Sequence, residues 1–315
     1  MDQGRLQNRV ALITGGARGI GKATAFKMVR EGASVALLDI FSDEAARVAQ
    51  DLEALGGKAL GLKADVSRKD EVDRAVERAL QHFGRVDILV NNAGIVRPGP
   101  LEKVREEDWD AAVSVNLKGA FFCTQAVVPA MKKNRYGKIV NMGSRASLGK
   151  EERTVYGATK AGLIGVTRTW ALELAQYNIN VNYIGPGPIA TELFMAANPE
   201  NSPQTKAIID GVPLRRMGQP EDVANLAAFL ASDEASFITG QTIFICGGIT
   251  VGLVHYCWFR KKSISPALSG IALQLRRCPA KRGIGASCAR PDMGVRRTPL
   301  HQNHGSADFL RLHHY

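Results

Sequence analysis

Tyr156 and Lys160 stand four residues apart in Tyr156-Gly157-Ala158-Thr159-Lys160, with Ser144 twelve residues before the tyrosine. Positions i and i+4 share one face of a helix, so the phenol and the ammonium would enter the same cleft. An unperturbed Tyr titrates near ~10, too high for ready proton exchange at neutral pH. A cation held beside it favours the phenolate and lowers that value. The pattern suits general acid–base chemistry on an alcohol or a carbonyl. An ordinary pair on a helix surface has the same spacing, so the reading needs support from the elements around it.

That support lies at the N-terminus. Val10-Ala11-Leu12-Ile13-Thr14 reads as a buried strand, and Gly15-Gly16-Ala17-Arg18-Gly19-Ile20-Gly21 follows at once. An amphipathic helical stretch runs from Lys22 to Glu31, with Gly32 as its stop. Strand, glycine turn and helix in this order form the context of a dinucleotide loop. Glycines let the backbone approach a pyrophosphate, and the helix N-terminus offers free N–H groups and a positive dipole end. The spacing is G-x-x-x-G-x-G, through Gly15, Gly19 and Gly21, with Arg18 and Ile20 between them. Ser34-Val35-Ala36-Leu37-Leu38 reads as the second strand and ends in Asp39, 18 residues after Gly21. That is near the spacing of an acid that accepts from the adenosine ribose hydroxyls. A carboxylate there repels a 2′-phosphate and argues for NAD over NADP, whereas Arg18 pulls weakly toward a phosphate.

Apolar runs and helical periodicities alternate from Val10 to about Val251, pointing to an α/β open parallel sheet in one domain. Strands are expected near 10–14, 34–39, 59–63, 88–91, 138–142, 179–184 and 242–246. Helices are expected near 18–31, 42–55, 69–83, 106–133, 154–176 and 220–231. Asp65, followed by Val66, closes the third strand and could accept from an adenine amino group; Asp65 or Ser67 would also serve as a helix N-cap. Asn91-Asn92-Ala93-Gly94 closes the fourth strand, where ligands gather in such sheets. Asn91 reads equally as a loop-stabilising residue. Asn116 is a polar residue in an apolar helical stretch, suited to bending the helix and to holding a water in line with Lys160.

Composition excludes several classes. The 315 residues are 45% hydrophobic, and the net charge of +11 suggests a nucleic-acid partner until it is located. Leu253–Tyr315 carries 11 Lys plus Arg against two Asp, while the preceding residues carry 30 Lys plus Arg against 28 acids. The body is thus nearly neutral, and nucleic acid is not its expected partner. Five of six His and three of five Cys also fall in 253–315. Periodicity fades there, and no aromatic residues alternate with the basic ones as a single-strand binder would want. A disordered extension or a frameshift or read-through product is expected for 253–315, ahead of an RNA-binding arm. No C-x-x-C pair indicates a disulfide or a metal site, no signal peptide or membrane-spanning run is evident, and cytoplasm is the expected compartment.

As a set these residues resemble the short-chain dehydrogenase/reductase family, of the classical bacterial type with a single Rossmann domain. The matching stretches are Thr14-Gly15-x-x-x-Gly19-x-Gly21, Asp65, Asn91-Asn92-Ala93-Gly94, Asn116, Ser144, Tyr156-x-x-x-Lys160, Pro186-Gly187 with Thr191, Gly218–Val223 and Ile238–Gly248. They span residues 5–252. The resemblance implies a doubly wound parallel sheet with helices on both faces and a homotetramer. It implies that Tyr156 is the acid/base, that Lys160 holds the nicotinamide ribose and lowers the Tyr156 pKa, that Ser144 binds the substrate oxygen, and that Asn116 supports a proton relay. Pro186, Gly187, Ile189 and Thr191 would border the nicotinamide, Ile189 and Thr191 at its carboxamide. The substrate would be a small alcohol or ketone. The sequence is also similar to 3-oxoacyl carrier-protein reductases, for which Lys132, Lys133, Arg135 and Arg168 could supply a basic patch. A non-catalytic dinucleotide- or nucleic-acid-binding protein is the rival from another class. The chain departs from the family pattern with Gly143 before Ser144 where Ser is common, with Tyr183 for a small residue, and with Gly185 before Pro186. Residues 192–216 are expected to cover the substrate, with 95–100 and 145–153 as the other walls.

Overall fold

The computed structural model describes residues 4–251. The expected tail, 253–315, lies outside the described residues. Seven strands form one parallel sheet in the order β3-β2-β1-β4-β5-β6-β7. They are β1 Val10–Thr14, β2 Ser34–Asp39, β3 Ala59–Lys63, β4 Ile88–Asn91, β5 Gly137–Met142, β6 Ile179–Pro186 and β7 Thr242–Ile245. The main helices are α1 Gly19–Arg30, α2 Ser42–Ala54, α3 Lys69–Phe83, α4 Glu106–Val113, α5 Gly119–Asn134, α6 Thr154–Leu174, α7 Glu192–Ala197, α8 Pro203–Asp210 and α9 Pro220–Leu230.

The strands read as unbroken apolar runs because both faces are covered. Alternate residues feed two cores. Ala11, Ile13, Val35, Leu37, Ile88 and Val90 pack with α1, α2 and α9 on one side. Leu12, Ala36, Leu38, Leu89 and Ile139 pack with α3, α5 and α6 on the other. Helix α3 buries Val72, Ala75, Val76 and Ala79, the i, i+3, i+4, i+7 stripe that such a position demands. Strand order reverses between β1 and β4, the kind of point at whose carboxyl ends ligands bind in open parallel sheets.

Three expectations need correction. The helix expected at 106–133 is interrupted by a π turn at Ser114–Lys118, so α4 and α5 are separate α-helical pieces of one rod. By length and apolarity the 29 residues Glu106–Asn134 could cross a membrane. Here the rod is a core element, with Cys123, Val127 and Met131 fully buried beside the sheet. Strand β6 runs on to Pro186, two residues past the expected end, because Gly185 and Pro186 pair with Phe244 and Ile245. Neither Asp65 nor Ser67 caps α3. The cap is Arg68, with no side-chain bond, and Asp65 Oδ1 accepts from Ser67 N at 2.9 Å in a local turn instead.

Candidate active site

The glycine loop leaves β1 at Thr14 and enters α1 at Gly19. Gly15 and Gly19 have φ of 62° and 51°, a region that side chains disfavour. A Cβ at Gly21 would overlap the Gly15 carbonyl and come within 2.6 Å of Asn92 Nδ2. The loop is stapled to the end of β4. Asn92 Nδ2 donates to Thr14 O and Gly15 O, both at 3.0 Å, while the Asn92 and Ala93 N–H groups donate to Thr14 Oγ1 at 3.0 Å. Thr14 is therefore a site residue that the spacing rules alone did not single out. The result is a cradle of backbone held open before the α1 N-terminus, which fits a dinucleotide pyrophosphate. Thr191 faces it: a Cβ on Gly19 would lie 3.3 Å from Thr191 Cγ2.

Asp39, at the tip of β2, is buried. Its carboxylate accepts from Ala17 N at 3.0 Å and Phe41 N at 3.1 Å, which fixes it beside the glycine loop. Each oxygen keeps a further lone pair for a ribose hydroxyl. Arg18, read as a possible phosphate contact, is committed elsewhere. It forms a bidentate ion pair with Glu44 and lies 4.2 Å over the Phe41 ring. Asp65 is half-buried at the tip of β3 and Val66 is buried. Asn91 takes the structural role. Its Nδ2 donates to Asn141 Oδ1 at 2.9 Å and Thr124 Oγ1 at 3.1 Å, inside the sheet and away from the cleft.

Lys160 is 3% exposed, and its Nζ donates to Met142 O at 2.8 Å. Burial alone pushes its pKa down to about 8. Asn116, inside the π turn, is pinned by Ile95: its Oδ1 accepts from Ile95 N at 2.7 Å, and its Nδ2 donates to Ile95 O at 3.0 Å and Thr159 Oγ1 at 3.1 Å. Gly94 is the meeting point of these groups. A Cβ there would lie 3.2 Å from Asn116 Oδ1 and 3.4 Å from Lys160 Nζ.

Tyr156 is half-buried, and Lys160 Nζ sits 5.6 Å from its ring centroid, so the two groups do face the same cleft. The expected lowering of the phenol pKa by the lysine is not what this geometry gives. Burial dominates and raises Tyr156 above its ordinary value, with the Ser144 side chain acting in the opposite sense. The reason is physical: the ammonium is itself desolvated and turned toward the Met142 carbonyl.

Ser144 follows β5 in extended backbone, and its Oγ accepts from Ala146 N at 3.1 Å. The rival Ser147 turns back, its Oγ donating to Ser144 O at 2.8 Å. Pro186 ends β6, and Gly187 N donates to Ile245 O at 2.9 Å. Ile189 is buried, its side chain packed toward Gly218, and Thr191 Oγ1 caps α7 by accepting from Phe194 N at 3.2 Å. The segment expected to cover the substrate, 192–216, carries α7 and α8. The other walls are tied together where Gly99 N donates to Glu152 O at 3.1 Å.

A family model described as enoyl-(acyl carrier protein) reductase matches residues 15–250. The chain is 46% identical over 248 residues to the 3-oxoacyl-[acyl-carrier-protein] reductase FabG of Thermotoga maritima, covering 78% of this chain and 100% of that protein. It is 45% identical over 243 residues to the (2S)-[(R)-hydroxy(phenyl)methyl]succinyl-CoA dehydrogenase subunit BbsD of Thauera aromatica, covering 77% and 97%. Among solved structures it resembles a blue fluorescent protein from a metagenomic library in complex with NADPH. That likeness has a TM-score of 0.73 and 34% identity, covering 78% of this chain and 100% of that one. This chain belongs to the short-chain dehydrogenase/reductase family and is an oxidoreductase of its single-domain type.

Proposed function

We propose that this protein is a cytoplasmic enzyme that moves a hydride between NAD(H) and a small secondary alcohol or ketone. Ser144, Tyr156, Lys160 and Asn116 are its catalytic group. The observation that supports it most is the convergence of Tyr156, Lys160 and Asn116 beside Gly94, at the mouth of a cradle suited to a dinucleotide. Bound between Gly15–Gly21 and Pro186–Thr191, a nicotinamide dinucleotide would supply the hydride acceptor or donor.

The chain's own groups do the rest. In oxidation Tyr156 takes the hydroxyl proton of the substrate; in reduction it returns one to the carbonyl oxygen. Ser144 Oγ, with its accepting side engaged by Ala146 N, has one proton to give: to Tyr156, whose pKa it lowers, or to a bound substrate oxygen, where it would steady developing charge. Lys160 presents charge to a ribose from a fixed carbonyl tether. Asn116 holds the Ile95 backbone against the lysine and leaves a relay path beside Gly94. For cofactor choice, Asp39 fixed beside the loop and Arg18 neutralised by Glu44 support NAD over NADP. The NADPH bound by the similar blue fluorescent protein makes this the point to test first. A homotetramer is part of the same proposal, and light scattering in solution tests it.

One alternative has its own support. The 46% identity to a carrier-protein reductase favours a 3-oxoacyl carrier-protein substrate. Lys133 and Arg135 at the end of α5 and Arg168 on α6 are exposed, while Lys132 lies over the Tyr177 ring at 4.4 Å. A panel of secondary alcohols, ketones and acyl-carrier conjugates, followed at the reduced-nicotinamide absorbance, separates the two readings. In it Tyr156→Phe should show no turnover with any substrate while binding cofactor as the wild type does. Undiminished turnover by that variant refutes the catalytic assignment.

A further inference from the structure

Tyr183 lies on β6 next to β5, is fully buried, and has no part in the reaction as described. Its hydroxyl engages both backbone groups of Ser144. Ser144 N donates to Tyr183 Oη at 2.9 Å, and Tyr183 Oη donates to Ser144 O at 3.0 Å. One hydroxyl can make both bonds, since it is a donor and an acceptor at once. The ring occupies the space beside Gly143, where any Cβ would overlap the ring and its oxygen. Gly185 completes the fit: a Cβ there would meet Phe244 Cε1 at 2.6 Å and Tyr183 Cε1 at 3.2 Å. The Tyr183 and Phe244 rings meet edge to face, with centroids 6.4 Å apart. The three departures from the family pattern are therefore neighbours in one packed unit.

We propose that Tyr183 is a positioning residue that holds Ser144 at the end of β5, and that Tyr183 and Gly143 are a matched pair, each requiring the other. The positioning half rests on the catalytic reading of Ser144; the matched pair does not. Burial keeps the Tyr183 phenol above its ordinary pKa, so it stays protonated and able to donate. With the backbone tied by Tyr183 and the Oγ accepting from Ala146 N, the Ser144 hydroxyl is directed at the cleft.

Tyr183→Phe keeps the ring and removes both bonds. Its kcat for alcohol oxidation should fall about tenfold, the factor equal to ~1.4 kcal/mol of lost orientation. Cofactor affinity, read by fluorescence titration, should stay unchanged. The Ser144 side chain, ahead of the Arg153 charge, draws the Tyr156 pKa down, so the alkaline limb of the pH–rate profile should also move upward. A purely structural loss would lower the amplitude and leave that limb in place. An unshifted limb, or a kcat within twofold of wild type, overturns the positioning role. The matched pair is read from thermal melting, without any turnover. Gly143→Ala should lower the melting temperature by overpacking and Tyr183→Ala by leaving a cavity, while the double variant should lose clearly less than the two losses summed. Two losses that simply add overturn the pair. If Ser144→Ala keeps full turnover, the catalytic reading and the positioning role fail together, while the melting cycle still decides the pair.

Discussion

Replacing Lys160 by Met is expected to cost the enzyme its turnover and yet make the fold less sensitive to pH. The ammonium is 3% exposed, and burial lowers its pKa from 10.5 to about 8. A depression of that size corresponds to about 3 kcal/mol disfavouring the charged form in the folded state. The folded pKa lies below the unfolded one, so between these values the unfolded chain binds more protons. Wild-type stability should therefore rise by about 3 kcal/mol as pH climbs from 8 toward 10.5, and level off outside that window. Met has similar length and no titration, so the variant lacks the rise. Below pH 8 the variant escapes the burial penalty but leaves the Met142 carbonyl without its donor, a loss of ~1–3 kcal/mol. The net effect at neutral pH is a variant roughly as stable as the wild type, or up to ~2 kcal/mol more so. Urea unfolding of both proteins, followed by far-UV circular dichroism across the alkaline range, measures the difference directly. Charges common to both cancel in it. Parallel stability curves from pH 8 to 10.5 would refute the claim that Lys160 is an ammonium held against its solvation.

Other expectations follow from the same geometry. Alcohol oxidation needs the Tyr156 phenolate, and burial raises that group's pKa, so kcat for oxidation should climb through the alkaline range while ketone reduction does not. A pH-independent oxidation rate contradicts this. Asp39→Ala should narrow the preference for NADH over NADPH in a comparison of kcat/KM. An unchanged ratio would mean that the ribose contact is misplaced. Gly21→Ala should abolish measurable dinucleotide binding in a fluorescence titration, since its methyl would overlap the Gly15 carbonyl. Binding at wild-type strength would mean the loop is not the cradle. Removing residues 253–315 should leave turnover intact, because every residue of the candidate site precedes 219. Loss of turnover would assign the tail a role in the enzyme.

The strands were legible because a parallel sheet covered on both faces writes each one as an apolar run. Val10–Thr14 and Ile88–Asn91 are buried at every position. The glycine loop was legible because close backbone approach leaves few residue types possible. What the sequence could not display were contacts between distant residues. Nothing in Arg18 announces its pairing with Glu44, and nothing in Tyr183 announces its hold on Ser144. The π turn was hidden because an inserted residue leaves the surrounding apolar pattern nearly unchanged. The expected helices do not include α7 and α8, although Thr191 and Ser202-Pro203 are recognisable start signals.

The π turn also carries a consequence for how this enzyme could be lost. An α-helix advances by about 100° for each residue. Excising a single residue from Ser114–Lys118 would let the rod heal into regular geometry and swing Asn116 away from Ile95 by that angle. The shorter chain would carry a more regular helix but lose the bonds that hold Ile95 and Thr159 to Asn116, so regularity at this spot would be bought with the site itself.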